Sequence, residues 1–454
     1  MKWSLVASAL CAMTLTWLAL TYPLGPVIGL LAVATFGLLT FHNPKYGLVF
    51  LIFSMMLSPE FGVGQAGSRP ITIRYDDIVL LTVFLAWLAR ISIRKDLPVL
   101  RTTAVNLPIV AYIAICAVAT GLGIFRGDLA PMKAIFFGLK YIQYFTVFFM
   151  AVNLMDTDED IRRALFFGLL TAVLVTLYAY NYHYQTGDRT TAPFDDALYG
   201  HRTFSEPGTL GAYYIVVFGV LLGVATEIPS QWVLATVGLV VLMFPAFLQT
   251  LSRASYMGMG VCAAMVLLLA SNRRFLIVSA ALIACALALA DPAIRQETLG
   301  RIDLTFHGGK NRTLHEVHIL GYPVTLEDSA AQRVWAWDRI LTKRLPEHPV
   351  LGHGITGIGF EDTQYGLILG ELGLAGLFIF GWLMTTLWRL GIEAKRRAQQ
   401  PWVRGLAVGF IAALAGLLTH AFTSNTFIII KVMEPFWLVA AMIAAVSTRP
   451  AAES

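Results

Sequence analysis

The sequence predicts an all-α, polytopic protein: a transmembrane helix bundle of about 12–14 spans with one large loop that contains an amphipathic helix. Three observations carry that expectation. The chain is 57% hydrophobic and 13% charged, whereas a soluble protein carries about a quarter charged residues. Apolar runs recur along it, each long enough to cross about 30 Å of hydrocarbon. Only one long stretch, 291–363, breaks that pattern with Arg, Lys and His. Helices are the economical form for such runs, because backbone groups in lipid have to be satisfied within the segment.

In chain order the spans fall near 3–20, 25–41, 46–58, 77–93, 106–125, 134–153, 162–182, 208–226, 231–249, 254–270, 275–290, 364–388, 402–421 and 425–446. The first run opens on a short basic start without a small-residue cleavage site, so it is read as a retained helix. Three regions follow: 1–290 as an N-terminal transmembrane bundle, 291–363 as the large loop, and 364–454 as C-terminal transmembrane helices. Cys11, Cys116, Cys262 and Cys285 all lie in apolar runs without metal-ligand spacing and read as small core residues.

The net charge of +5 gains meaning once it is mapped onto these spans. Arg90, Arg94, Lys95 and Arg101 share one connection, Arg162 and Arg163 another, and Arg273 and Arg274 a third. Arg389, Lys395, Arg396, Arg397 and Arg404 form the densest cluster. All fall on one face, which the positive-inside rule makes cytoplasmic. The opposite face would then hold 59–76, 126–133, 183–207, the turn at Ser252–Arg253, and 291–363. That face nevertheless carries arginines, among them Arg202 and Arg253 beside helix ends. A planar guanidinium fork at headgroup level suits a phosphate or diphosphate; anchoring by snorkelling is the alternative. The pattern gives no reason to invoke nucleic acid.

Within the large loop, AAQRVWAWDRILTKRL (330–345) places Val334, Trp337 and Leu341 at helical spacing among basic residues. It reads as an amphipathic helix on the membrane face, a lid over a site, stopped by Pro346 and Pro349. The preceding segment alternates and suits a small hairpin. After the lid, HPVLGHGITGIGFEDTQYGLILGELGLAG runs from a glycine-rich polar turn into an apolar helix that carries Glu371 near its start. A carboxylate in such a helix is expensive and calls for a partner or a function. Lys431 and Glu434 are one turn apart and able to pair, whereas Lys140 has no obvious local partner.

Several segments, taken in order, resemble the O-antigen ligase and polymerase superfamily of integral-membrane glycosyltransferases. They are IRYDDIVLLTVFLAWL, HRTFSEPGTLGAYY, LSRASYMGM, RVWAWDRILTKRLPEHPVLGHG and DTQYGLILGELGLAG, together spanning about 70–390. The resemblance implies a donor glycan on a polyprenyl diphosphate, a sugar acceptor, the lipid bilayer as medium and a chain-length regulator protein as partner. It implies that Arg202 and Arg333, with Arg253, hold the diphosphate. Counting back from Gly373 in the glycine pattern, Asp362 stands where the ligases carry a histidine, so the resemblance points to a polymerase.

The chemistry can be argued beside the resemblance. Departing diphosphate charge suits arginines in a water-poor site, and the attacking hydroxyl needs a carboxylate or imidazole within hydrogen-bond reach. Asp362 and His353 are the candidates for that second task; Asp362 also suits a helix N-cap. Glu206 orients Arg202 or competes as a base, and Glu371 supports the site. No metal or cofactor is expected: Asp76–Asp77 and Asp195–Asp196 are adjacent pairs that splay apart, and no phosphate loop follows a strand. The expected function is therefore polymerisation of lipid-linked oligosaccharide repeats by a metal-independent, inverting transfer. An O-antigen ligase acting on lipid A-core is one alternative, and a transporter or flippase of lipid-linked sugars the alternative from another class.

Overall fold

The computed structural model describes residues 24–66, 69–93, 100–194, 207–273, 286, 290, 292–307, 314–319, 322–359 and 361–448. The expected spans at 3–20 and, but for two positions, 275–290 lie outside them, as do Arg202 and Glu206. The helices that are described fall where the apolar runs predict: α1 (Leu24–His42), α2 (Pro44–Leu57), α3 (Tyr75–Ile93), α4 (Asn106–Arg126), α5 (Pro131–Leu154), α6 (Asp158–Thr186), α7 (Pro207–Ala225), α8 (Ser230–Leu248) and α9 (Arg253–Leu269). After the large loop come α12 (Gln364–Arg397), α13 (Pro401–His420) and α14 (Ile430–Ser447). Among the described residues eight helices are long and apolar enough to cross a membrane, and the architecture is the expected all-α bundle.

Local chemistry sets the helix starts. Asn43 caps α2, Ser252 accepts from the Ser255 N–H at the head of α9, and Thr157 with Asp160 closes a reciprocal capping box on α6. Proline begins α2, α5 and α13, where its missing N–H costs nothing.

The centre of the bundle is a crossing of glycine stripes. A Cβ on Gly223 of α7 would come within 2.3 Å of the Gly409 nitrogen and 2.5 Å of the Gly405 oxygen. In the other direction, a Cβ on Gly409 would lie 2.4 Å from the Gly219 oxygen. Helix pairs in a membrane gain little from solvent exclusion, so contact of this closeness between α7 and α13 supplies attraction through packing. α14 closes against α5 through Trp437, which stands edge-on to Phe145 and Phe148 at 4.9 and 5.5 Å.

The basic clusters gather at one end of the bundle, as the charge map requires. There Arg101 meets Asp156 at 2.6 Å, Lys45 meets Asp160 at 2.7 Å, Arg404 faces Glu227 at 3.6 Å, and Lys395 donates to the Leu269 carbonyl. Segments at the other end join one another instead: Arg126 to the Gly352 carbonyl, Arg253 to Glu327, and Asn425 to the Glu361 carbonyl.

Several features depart from the sequence expectation. A two-stranded hairpin, β1 (Glu60–Ala66) with β2 (Arg69–Arg74), occupies the connection that leads into α3. The large loop opens with a helix, α10 (Pro292–His307), before the expected hairpin β3 (Leu314–Ile319) and β4 (Tyr322–Glu327). The lid, α11 (Asp328–Arg339), continues through a π-helical turn at Ile340–Arg344 and a last turn to Glu347. Ala331 and Val334 pack on Val317 and Leu326 of the hairpin, while Trp337 and Ile340 share a cluster with Ile358, Leu367 and Ile428; Leu341 is exposed. The lid is thus held between hairpin and bundle.

The buried ion pairs also differ. Lys431 donates to the Pro193 carbonyl at 2.6 Å and Glu434 accepts from Gln143 at 2.9 Å, each on its own partner in place of the expected mutual pair. Lys140 finds a partner far off in sequence, Asp77, at 3.0 Å. Asp76 turns the other way, to Arg74 at 3.0 Å. Finally, the span expected to begin at 425 starts at Ile430, after a polar turn and a 3-10 turn at Thr426–Ile428.

Candidate active site under the lid

α12 begins at the loop end of the bundle, and the lid crosses over it. Arg253 is the first residue of α9, where the positive end of the helix dipole disfavours a cation. The site offsets that cost with a carboxylate: Arg253 Nη1 lies 3.1 Å from Glu327 Oε2, at the junction of β4 and the lid. Its Nη2 donates to Ser329 Oγ at 3.0 Å. Arg333, one turn along the lid, donates to the same hydroxyl at 3.2 Å. Two guanidinium groups from separate elements are therefore brought together at one point.

Arg333 is half-buried, and its Nε is sealed from solvent without a hydrogen-bond partner. Burial lowers its proton affinity most, Asp362 opposes that, the like charge of Arg253 adds to it, and Glu327 opposes it again. Asp362 is exposed at the mouth of α12. It does not cap the helix: the N-cap is Thr363, whose side chain makes no capping bond. Nearby, Arg339 and Glu361 pair at 2.7 Å and tie the far end of the lid to the same mouth.

α12 is continuous by sequence but broken in space. Gly373 has φ +66° and ψ −165°, which interrupts the helix two residues past Glu371. The freed backbone groups are taken up by the glycine-rich turn before the helix. The His353 and Gly354 N–H groups donate to the Gly370 and Glu371 carbonyls, and the Leu374 and Ala375 N–H groups to the Pro349 and Val350 carbonyls. A broken span is tolerated where protein re-satisfies its backbone. Glu371 sits buried at the break and accepts from the Thr356 N–H at 2.6 Å. Its partner is thus a backbone amide, and its part is to hold the turn in the gap.

His353 belongs to a different cluster. It is buried, its Nε2 lies 3.0 Å from the Arg344 carbonyl oxygen and 3.4 Å from Glu347, and its ring stands edge-on to His348 at 4.7 Å. Asp128 joins the two histidines closely enough for the three to share an ion. Arg126 competes for that carboxylate at 2.9 Å. The structure therefore brings together Arg253, Arg333 and Asp362, with Glu371 at the break in α12, and sets His353 in a buried turn with its own partners.

Sequence reading passed over the floor of this site. The turn between α13 and α14 carries His420, Asn425 and Thr426, all buried, in the stretch THAFTSNTF. A histidine followed by Thr, Ser and Asn where two apolar runs meet was the available signal. Gln364 anchors this turn to α12: its N–H donates to the Ala421 carbonyl at 3.1 Å, and its side-chain oxygen accepts from the Phe427 N–H at 2.8 Å.

Fold and site together define a polytopic membrane protein with a half-buried cationic cluster shared between the lid and the head of α9. Residues 238–372 match the family model described as O-antigen ligase, which bears out the resemblance to the O-antigen ligase and polymerase superfamily. The match takes in Arg253, Arg333, Asp362 and Glu371, and stops short of His420 and Asn425. A search of curated proteins finds no match to the chain.

Proposed function

We propose that the protein polymerises lipid-linked oligosaccharide repeats at the periplasmic face of a bacterial inner membrane. Arg253 and Arg333, with Arg202, hold the diphosphate of a polyprenyl-linked donor whose lipid stays in the bilayer. Asp362, exposed beside Arg333, takes the proton of the acceptor hydroxyl, with His353 the alternative base. The hydroxyl oxygen bonds to the anomeric carbon as the carbon–oxygen bond to phosphate breaks, and the electron pair leaves with the diphosphate. The configuration inverts, and the proton passes from the base to the departing phosphate or to water. The reading rests on one observation above the others: two arginines from distant elements converge on Ser329, one with a buried nitrogen still unpaired. Charge of one sign, concentrated in this way, favours an anion whose own charge grows in the transition state.

The family match is equally compatible with a ligase, in which finished polymer passes to lipid A-core. Asp362 at the position of the ligase histidine favours the polymerase. Deletion of the gene separates the two. A lost polymerase leaves single repeats on the lipid carrier, and a lost ligase leaves long polymer stranded there. Purified protein that makes polymer in detergent from lipid-linked repeats excludes transport as its task, and failure of Arg333→Ala to impair that synthesis would remove the proposed grip on the diphosphate.

A further inference from the structure

Among the described residues, four buried polar atoms around the start of α12 have no hydrogen-bond partner: Arg333 Nε, Thr363 Oγ1, His420 Nε2 and Asn425 Oδ1. Native interiors leave few such groups, and each calls for an explanation, an ordered water or a ligand among them. Here they converge. Arg333 and Trp337 are one turn apart on the lid and share a face, and Trp337 packs against the same buried cluster of Ile340, Ile358 and Leu367 as Ile428, of the turn that follows His420. From the other side α9, headed by Arg253, approaches α13 closely enough that a Cβ on Gly258 would lie 3.4 Å from His420 Cβ. Asn425 donates its amide to the Glu361 carbonyl at 2.6 Å, beside Asp362, which leaves its oxygen unused.

The neighbours of His420 accommodate a tautomer in which Nε2 is an acceptor. Its Nδ1 lies 2.7 Å from Thr426 Oγ1, and that hydroxyl directs its own hydrogen to the Ser424 carbonyl at 3.4 Å. With its hydrogen directed that way Thr426 accepts from Nδ1–H, and in that tautomer Nε2 keeps its lone pair as an acceptor. Arg333 Nε–H is a donor. One donor and one acceptor, both shielded from water, are the complement of a hydroxyl group.

We propose that Arg333 Nε and His420 Nε2 form a subsite for a sugar hydroxyl of the lipid-linked glycan, with Nε–H donating to its oxygen and Nε2 accepting its hydrogen. The identification of the hydroxyl as a sugar's rests on the function proposed above. His420 lies outside the family match and at the far end of α13, so this subsite extends the cationic cluster toward the C-terminal helices. It gives the site a means of recognising glycan, where the arginines alone recognise only diphosphate.

The test measures binding by the full-length protein in nanodiscs, with two probes. One is undecaprenyl diphosphate; the other is the lipid-linked oligosaccharide extracted from a strain lacking the gene. Wild type is expected to bind the glycan-bearing lipid more tightly than the bare one. His420→Asn keeps an amide for Thr426 but removes the acceptor. It is expected to weaken binding of the glycan-bearing lipid about tenfold and leave the bare lipid unchanged, because the substrate hydroxyl loses a buried partner. An equal loss for both probes marks a purely structural role and overturns the subsite, and so does no loss for either. Wild type that binds neither probe rejects the proposed function itself, a different outcome. A structure of wild type with the glycan-bearing lipid gives a second reading that no variant's stability can affect: a sugar oxygen within hydrogen-bond distance of both atoms supports the subsite, and a water there instead overturns it.

Discussion

Arg253 and Arg333 donate to one hydroxyl, that of Ser329, at 3.0 and 3.2 Å. Two like charges held this close repel, and the protein tolerates it through Glu327 on one of them and the oxygen between them. An anion bridging both guanidinium groups would relieve the repulsion. If the pair serves that purpose, the planar fork matters as well as the charge. Arg333→Ala and Arg333→Lys are both expected to lower polymer synthesis, by at least about a hundredfold for Ala, the scale of losing a main electrostatic contact. Lys is expected to rescue little of it, because a point charge does not span two oxygens. Synthesis by Arg333→Lys within a few-fold of wild type, assayed on lipid-linked repeats in detergent, contradicts a bidentate grip.

Ser329 presents a milder case. It orients both arginines but carries no charge, so Ser329→Ala is expected to reduce synthesis by about tenfold or less and raise KM for the donor more than it lowers kcat. A donor titration checks this. A collapse as deep as that of Arg333→Ala would move Ser329 from orienting the guanidinium groups to touching the substrate itself.

The sequence made the bundle legible and left much of the site hidden, for physical reasons that particular residues show. Apolar runs of membrane length have few alternatives to helices, so α4 to α9 and α13 fall close to their expected bounds. Glu371 stands out in the sequence because a carboxylate is costly in an apolar helix, and Arg253 because it sits beside a helix end on the face expected to be poor in cations; Arg333 and Asp362 are reached through the resemblance. His420 was hidden, since a single imidazole at the end of an apolar run declares itself only when its unpaired nitrogen is seen. The break in α12 was hidden too: Gly370 and Gly373 flank Glu371, but glycine is common in membrane helices and only φ +66° distinguishes Gly373. Lys140 pairs with Asp77 and Lys431 with the Pro193 carbonyl, partners that no local spacing rule could supply.

The glycine crossing between α7 and α13 makes a prediction about assembly. Gly409→Val would drive a side chain into the Gly219 oxygen, 2.4 Å from the new Cβ, and Gly223→Val would meet the backbone of Gly405 and Gly409. Backbone atoms cannot rotate aside as a flexible side chain can, so the helices have to separate. Each substitution is expected to cost at least about 1–3 kcal/mol, seen as a lower melting temperature and loss of monodisperse protein in detergent. Gly238→Val serves as a control on α8, because nothing lies within 4 Å of a Cβ there. A melting temperature for Gly409→Val equal to that of the control would show that the crossing is looser than described.

Glu371 separates a structural carboxylate from a chemical one. Its Oε1 accepts from the Thr356 N–H at 2.6 Å, in the gap where Gly373 interrupts α12 and the turn 349–354 supplies the missing backbone partners. Glu371→Ala leaves the part-buried Thr356 N–H without its acceptor, a loss of about 1 kcal/mol or more, and it also opens a space beside the break. Glu371→Gln keeps an acceptor of nearly the same shape. If Glu371 holds the turn, Gln retains most of the melting temperature and most of the synthesis, while Ala loses both together. Stability like wild type combined with abolished synthesis in Gln would mean that the charge itself is used in the reaction. Thermal unfolding and polymer synthesis, measured on the same purified samples, distinguish the two. The geometry favours the first, since the carboxylate oxygen is already engaged by the backbone that the broken helix requires it to hold.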